Sequence, residues 1–182
     1  EPEAELVSMA QDKGCAILLT DDPEEFLLRL AHTYRLELGC LVVGITGSIG
    51  KTTTKEALRH VLSEVGKVHA SVASFNNHWG VPLTLARMPA DTDYGVFEIG
   101  MNHHDEIRPL VKMVRPHVAL ITLIAPAHLG HFANLEEIAV AKAEIFEGIV
   151  PGGYALLNRD DKRFKQLEEL AAGTGDIRRS SD

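Results

Sequence analysis

The chain has 182 residues, 45% of them apolar and 24% charged, with a formal net charge of -8. That length suits about one domain with a core, and the acidic balance argues against a dedicated nucleic-acid binder, which carries a basic face. Two cysteines, Cys15 and Cys40, make neither a disulfide framework nor a zinc site. No apolar run reaches the roughly 18 residues of a membrane helix. The start, EPEAELVSMAQ, has neither the basic nor the apolar region of a signal peptide. That start lacks Met, and the end, TGDIRRSSD, closes no element; a piece of a longer chain is expected.

Strand-like and helix-like stretches alternate. CAILLT, residues 15–20, reads as a short strand; the acidic turn DDPEE and the amphipathic EFLLRLAHTYRLEL follow. A boundary is placed at Gly39-Cys40. CLVVGIT, residues 40–46, is a continuous β-branched run, as in a strand buried on both faces. Residues 51–66 read as a helix ended by Gly66. KVHAS is a short strand, and VPLTLARM a short helix with Pro82 in its first turn. YGVFEIG is a strand, HDEIRPLVKMVR a helix, and HVALITLI a second buried strand. A helix over 135–149, a turn at Pro151-Gly152-Gly153, the strand YALLN and the helix KRFKQLEELAAG complete the chain. The alternation predicts an α/β fold: a mostly parallel sheet with helices on both faces.

The strongest chemical signal is VVGITGSIGKTTTKEAL, residues 42–58. A buried strand runs into a glycine-rich turn and then a helix, the context a phosphate-binding loop requires. Its backbone N–H groups and the helix N-terminus would face phosphate oxygens. Lys51 would reach the β/γ-phosphates and the Thr52 hydroxyl a Mg2+ ion. The loop is a variant: the usual first glycine position is Ile45, with Gly44 and Gly47 on either side.

Glu98 ends a buried strand, at the edge where open α/β sheets bind ligands, and a carboxylate there can hold the nucleotide's Mg2+. His128 follows the next buried strand, with His131 three residues on; a ligand and mere polar punctuation both remain open. His103 and His104 read as loop residues. Asn158 ends YALLN at the same edge, where its amide would pair with an adenine edge or cap a turn.

Lys142 is the misfit. In a helix at about 100° per residue it falls among Leu135, Ile138, Ala139, Ile145, Phe146 and Ile149, on the face to be buried. Three readings are open: the stem snorkels and the ammonium reaches water; the ammonium pairs with a phosphate or carboxylate; or burial keeps the amine neutral and able to capture CO2 as a carbamate.

Six stretches in order, TGSIGKTTTKE, NNHWGVPLTL, FEIGMN, APAHLGHF, AKAEIF and LNRDD, resemble the Mur ligase family, over roughly residues 40–165. The second and fourth favour the branch that adds D-alanyl-D-alanine. The fold implied is a P-loop NTPase-like central domain, incomplete, over residues 40–182. Residues 1–39 would be the end of an N-terminal UDP-substrate domain with its lead-in helix, and the C-terminal domain would be absent. The activity implied is ATP-dependent amide ligation in peptidoglycan precursor synthesis, through an acyl phosphate, with a UDP-N-acetylmuramoyl-tripeptide and D-alanyl-D-alanine as substrates.

By this resemblance Gly47, Ser48, Ile49, Gly50, Lys51, Thr52 and Thr53 bind ATP, and Asn158 and Asp161 lie at the adenine. Thr52 and Glu98 hold the first Mg2+, while His128 and Lys142, the latter as a carbamate, serve a second metal. Lys51, Glu98, His128 and Lys142 are the catalytic set, and Asn76 and Asn77 face the substrate. Ile49 departs from the Asn or other small residue of many relatives, a mild change in a loop that works through its backbone. The parent is expected to be a monomeric, cytoplasmic bacterial enzyme without nucleic-acid partner or membrane insertion. This piece alone is expected to be inactive, with a bare amine at Lys142. The alternatives are another Mur or folyl-polyglutamate-type ligase, or a nucleotide-binding module without ligase activity; such a module has no use for His128 and Lys142.

Overall fold

The computed structural model describes residues 3–73, 75–126 and 132–174. The β-branched run after Gly39 forms the central strand β1 (Leu41–Thr46). It lies between β3 (Tyr94–Glu98) and β4 (Val118–Ile121), with β2 (Val68–Ala70) and β5 (Tyr154–Leu157) at the edges, in the order β2-β3-β1-β4-β5. Every pairing is parallel. This is the α/β sheet expected from the sequence, and cover on both faces explains the unbroken apolar run of β1.

From β1 the chain passes through α3 (Lys51–Leu62) to β2, and α3 packs on β1, β2 and β3. It returns through α4 (Gly80–Ala86) to β3 and through α5 (Ile107–Val114) to β4. Right-handed crossovers that run in opposite directions place α3 on one face and α4 and α5 on the other. α2 (Pro23–Glu37) packs across α4 and α5. α6 (Leu135–Ala143) tightens into a 3-10 segment, Glu144–Gly148, before β5. The last helix, α7 (Phe164–Ala172), packs on α6 and β5. Val42, Val96 and Phe97 of the sheet join Leu85, Val111, Ile138 and Ile145 in the buried core. The connections after β1 and β4 leave in opposite directions, so their carboxyl ends open a crevice, the place where such sheets take ligands.

Arg35 docks α2. It is buried, and its guanidinium donates to the carbonyls of Val114 (2.7 Å), Arg115 (2.9 Å) and Leu38 (3.2 Å). It thereby satisfies the C-terminal carbonyls of α5, which a helix end leaves open. Among the described residues no helix is long and apolar enough to cross a membrane.

Several boundaries differ from the sequence reading. Residues 15–20 form no strand: no described sheet edge receives them, and Leu18 and Leu19 stay exposed. α1 (Ala4–Asp12) was not expected, and it buries no residue. α3 ends at Leu62, not Gly66, where the Ser63 hydroxyl turns back onto Arg59 O at 2.6 Å. α5 begins at Ile107, because the Glu144 carboxylate takes the N–H groups of Asp105 (2.8 Å) and Arg108 (3.0 Å). Pro109 thus sits in a first turn, where it removes no helical bond. The expected 135–149 helix is divided by the same Glu144, at which the 3-10 segment starts.

Candidate active site

The loop after β1 is fixed from the side. Ser48 N–H donates to Leu123 O at 2.7 Å, and the Thr122 hydroxyl donates to Ile49 O at 2.6 Å. Gly47 has φ +147, and a Cβ on it would fall 1.9 Å from Thr122 Oγ1. Gly50, the N-cap of α3, has φ +87. Both positions therefore require glycine. The Ile49 side chain is exposed, so this loop presents its backbone to the crevice.

α3 starts at Lys51 with no side-chain cap and no acidic residue in its first turn, leaving its N–H groups for an outside acceptor. Lys51 Nζ donates to Gly47 O at 2.9 Å. Two buried hydroxyls at the loop, Thr46 Oγ1 and Ser48 Oγ, have no partner among the described residues. Open helix-start donors, orphaned hydroxyls and a lysine fit a phosphate chain.

Glu98, at the end of β3, is 2% exposed. Thr52 Oγ1 donates to its Oε2 and Asn76 Nδ2 to its Oε1, both at 2.8 Å, and its own N–H donates to Ser71 Oγ at 3.2 Å. Both described partners of the carboxylate are uncharged, so the burial of its charge is only partly offset. A divalent cation would complete it. Among the described residues no group of three or more His, Cys, Asp or Glu could hold a metal. The donor set that remains, one carboxylate, one hydroxyl and phosphate oxygens, is the all-oxygen chemistry of Mg2+.

Lys142 does not snorkel. It is 2% exposed and lies on α6, whose start is pinned reciprocally: Glu137 N–H donates to Asn134 Oδ1, and Ala133 N–H to Glu137 Oε2, both at 2.9 Å. Burial first, and the Lys51 charge second, lower its pKa from the ordinary 10.5 to about 7. Lys51 and Lys142 line one cleft of ≈ 580 Å3 with Asn76, Asn77, Asn102 and Glu106. Asn77 caps the start of α4, accepting from Gly80 N–H at 2.9 Å.

Asn158 and Asp161 sit beyond β5. Asn158 Nδ2 donates to Thr122 O at 3.3 Å and its Oδ1 accepts from Asp160 N–H at 3.0 Å. Asp161 is buried and accepts from Ile124 N–H (2.6 Å) and Arg163 N–H (2.8 Å), tying the exits of β4 and β5 together. Thr53 is exposed in the first turn of α3. His128 and His131 lie outside the described residues. The structure therefore gathers Lys51, Thr52, Asn76, Glu98 and Lys142 around one crevice. Thr122 and Ser71 were missed by sequence reasoning; each acts on backbone far away in the chain, and no local motif announces that.

Residues 45–177 match the Mur ligase middle domain, and the chain belongs to the Mur ligase family. Within it, the chain is 41% identical over 151 residues to the UDP-N-acetylmuramoyl-tripeptide–D-alanyl-D-alanine ligase of Rickettsia prowazekii, covering 83% of this chain and 34% of that protein. Its fold is similar to MurF from Acinetobacter baumannii, with TM-score 0.84, 33% identity, and coverage of 93% of this chain and 40% of that one. It is also similar to the MurF ligase of Thermotoga maritima in complex with ADP, with TM-score 0.77, 29% identity, and coverage of 87% and 36%. The chain spans about a third of the length of the curated relatives it matches.

Proposed function

We propose that this chain is the central part of an ATP-dependent amide ligase that joins D-alanyl-D-alanine to a UDP-N-acetylmuramoyl-tripeptide in peptidoglycan precursor synthesis. The observation that carries it is the meeting of phosphate loop, buried Glu98 and two lysines at one crevice, in a chain of this family. The names of the relatives support the choice of substrates. In this reading an oxygen of the peptide's terminal carboxylate attacks the γ-phosphorus, and the bond to the ADP oxygen breaks. The amine of D-alanyl-D-alanine then attacks the acyl phosphate carbon and gives up a proton, and phosphate leaves the tetrahedral intermediate.

Each residue has a part. Residues 47–53 cradle the phosphates through N–H groups, and Lys51 turns from Gly47 O to the β/γ-phosphate oxygens, where its charge offsets theirs. Thr52 and Glu98 would hold Mg2+, which when bound neutralises phosphate charge. Asn76 and Asn77 line the substrate side of the cleft, and Asn158, with Asp161 beside it, is assigned to the adenine. Lys142 and His128 are assigned to a second metal. In the complete enzyme Lys142 Nζ, as the neutral amine, adds to the carbon of CO2 and loses one proton, becoming a carbamate anion; in this chain alone the bare amine is expected.

Residues 1–39 are read as the end of the preceding UDP-substrate domain, with α2 as its lead-in helix. The unburied α1 and the exposed residues 15–20 support this, as does the docking of α2 through Arg35. The compartment on this reading is the bacterial cytoplasm, where ATP is available. The test is phosphate release by the full-length parent. It should require both the UDP-linked tripeptide and D-alanyl-D-alanine, and release without either one would refute the reading.

A further inference from the structure

Lys55 has no part in the chemistry above, yet it is 0% exposed. Its Nζ donates to Ser71 O at 2.8 Å and to Ala73 O at 3.0 Å, and lies 3.1 Å from Glu56 Oε1. An ammonium has three N–H donors, and these acceptors use all of them. A charge placed so far from water needs that compensation, so the position is specified closely. What the ammonium holds is a turn. Ala73 sits at φ +48, a left-handed conformation that costs a residue with a Cβ about 1 kcal/mol.

That turn leads to Glu98. Ser71 Oγ accepts from Glu98 N–H at 3.2 Å, Asn76 Nδ2 donates to Glu98 Oε1 at 2.8 Å, and Asn76 O accepts from Gly100 N–H at 2.8 Å. Gly100 fits the arrangement: a Cβ there would come within 2.9 Å of the Asn76 amide. α3 thus reaches Glu98 by two routes, directly through Thr52 and, three residues later, through Lys55 and Ser71. Lys55 itself touches neither Glu98 nor the cleft.

We propose that Lys55 is a positioning residue whose ammonium holds the backbone at Ser71 and Ala73 so that Ser71 and Asn76 set the Glu98 carboxylate for the divalent cation of a nucleotide. This rests on the reading of Glu98 as a metal carboxylate. Loss of Lys55 then weakens the metal-dependent part of nucleotide binding and spares the part made by the phosphate loop.

Two measurements on this chain test it. The first needs no ligand. In K55M, hydrogen exchange at the Glu98 and Gly100 amides is expected to speed up at least about tenfold while β1 and β4 amides keep their protection. Unchanged exchange at those two amides, or equal loss across the whole sheet, overturns the proposal. The second is ATP affinity in excess EDTA and across a Mg2+ series. K55M and N76A should each raise the Mg2+ concentration for half-effect about tenfold, with the EDTA value moving less than about twofold. K55M/N76A should be no worse than either single variant, because both act along one path. A multiplied loss of about a hundredfold overturns it, as does an unmoved Mg2+ series in K55M. Should the unsubstituted chain show no Mg2+-dependent ATP binding, the reading of Glu98 fails, and the exchange data still decide whether Lys55 holds the turn. K55Q, which keeps one donor for a carbonyl, replaces K55M in both measurements if K55M does not fold.

Discussion

Thr122 and Ile49 are 73 residues apart in the chain, and the hydroxyl of the first donates to the carbonyl of the second at 2.6 Å. The end of β4 thereby holds the glycine-rich loop that follows β1. The same hydroxyl is the atom a Cβ on Gly47 would meet. One side chain therefore sets both the shape of the loop and its need for glycine.

T122V removes the hydroxyl at nearly constant volume. The Ile49 carbonyl is close enough to solvent to find water, so the loss of stability is expected to be about 1 kcal/mol. G47A adds a left-handed penalty and a clash with Thr122, and roughly 2–4 kcal/mol is expected. T122A in the G47A background should recover part of that loss, the clash but not the backbone penalty. Urea denaturation of the three variants checks the order; a G47A variant as stable as the parent chain would contradict it.

E98Q keeps the shape of the side chain and removes its charge. Among the described residues the buried carboxylate meets neutral donors, Thr52 and Asn76, so the fold should be no less stable than before. Nucleotide binding in Mg2+ is expected to fall at least about tenfold toward the EDTA value. Isothermal titration with ATP in the two buffers reads this. Equal binding by E98Q and the unsubstituted chain in Mg2+ would remove Glu98 from the metal site.

Lys142 titrates near 7 when folded and near its ordinary 10.5 when unfolded. Between those values the unfolded chain binds one more proton, so stability rises with pH across that window and is lowest, from this group, below about 7. The full span corresponds to roughly 4–5 kcal/mol as an upper figure. K142M should therefore be more stable than the unsubstituted chain at pH 7, with the advantage shrinking toward pH 10. Urea midpoints at several pH values measure it, and a difference independent of pH would disprove the buried, neutral amine.

R35M leaves the carbonyls of Val114, Arg115 and Leu38 without their donor. A cost of about 3 kcal/mol is expected for charge-assisted bonds lost from a buried site. The loss should be concentrated at the contact of α2 with α5. Hydrogen exchange in α2 should accelerate far more than in β1, and a uniform acceleration would speak against docking by Arg35.

The sheet and the glycine-rich loop before α3 were legible in the sequence because they rest on local patterns: apolar runs closed by glycine, then a helix opening on Gly-Lys-Thr. Lys142 was legible as an anomaly and no more, since periodicity places it on a face without saying what that face meets. Lys55 was not legible at all. Its partners, Ser71 O and Ala73 O, are backbone atoms 16 and 18 residues away, and any residue type supplies a carbonyl. Residues 15–20 misled because an apolar run becomes a strand only where a sheet edge receives it. Glu144 divided the long helix because its carboxylate was claimed by N–H groups of another element, a contact between distant segments.

In the register of β1 and β3, Ile45 lies opposite Glu98, and Gly47 is two residues beyond Ile45. Neighbouring strands are about 4.8 Å apart. The sheet is therefore a ruler, and its register sets the span from the loop after β1 to the carboxylate. Side chains alternate between faces, so a slip of β3 by one residue would carry the carboxylate to the far side of the sheet and not merely displace it. Mispairing at this seam during folding would give a domain with an intact loop, an intact helix and no carboxylate facing them.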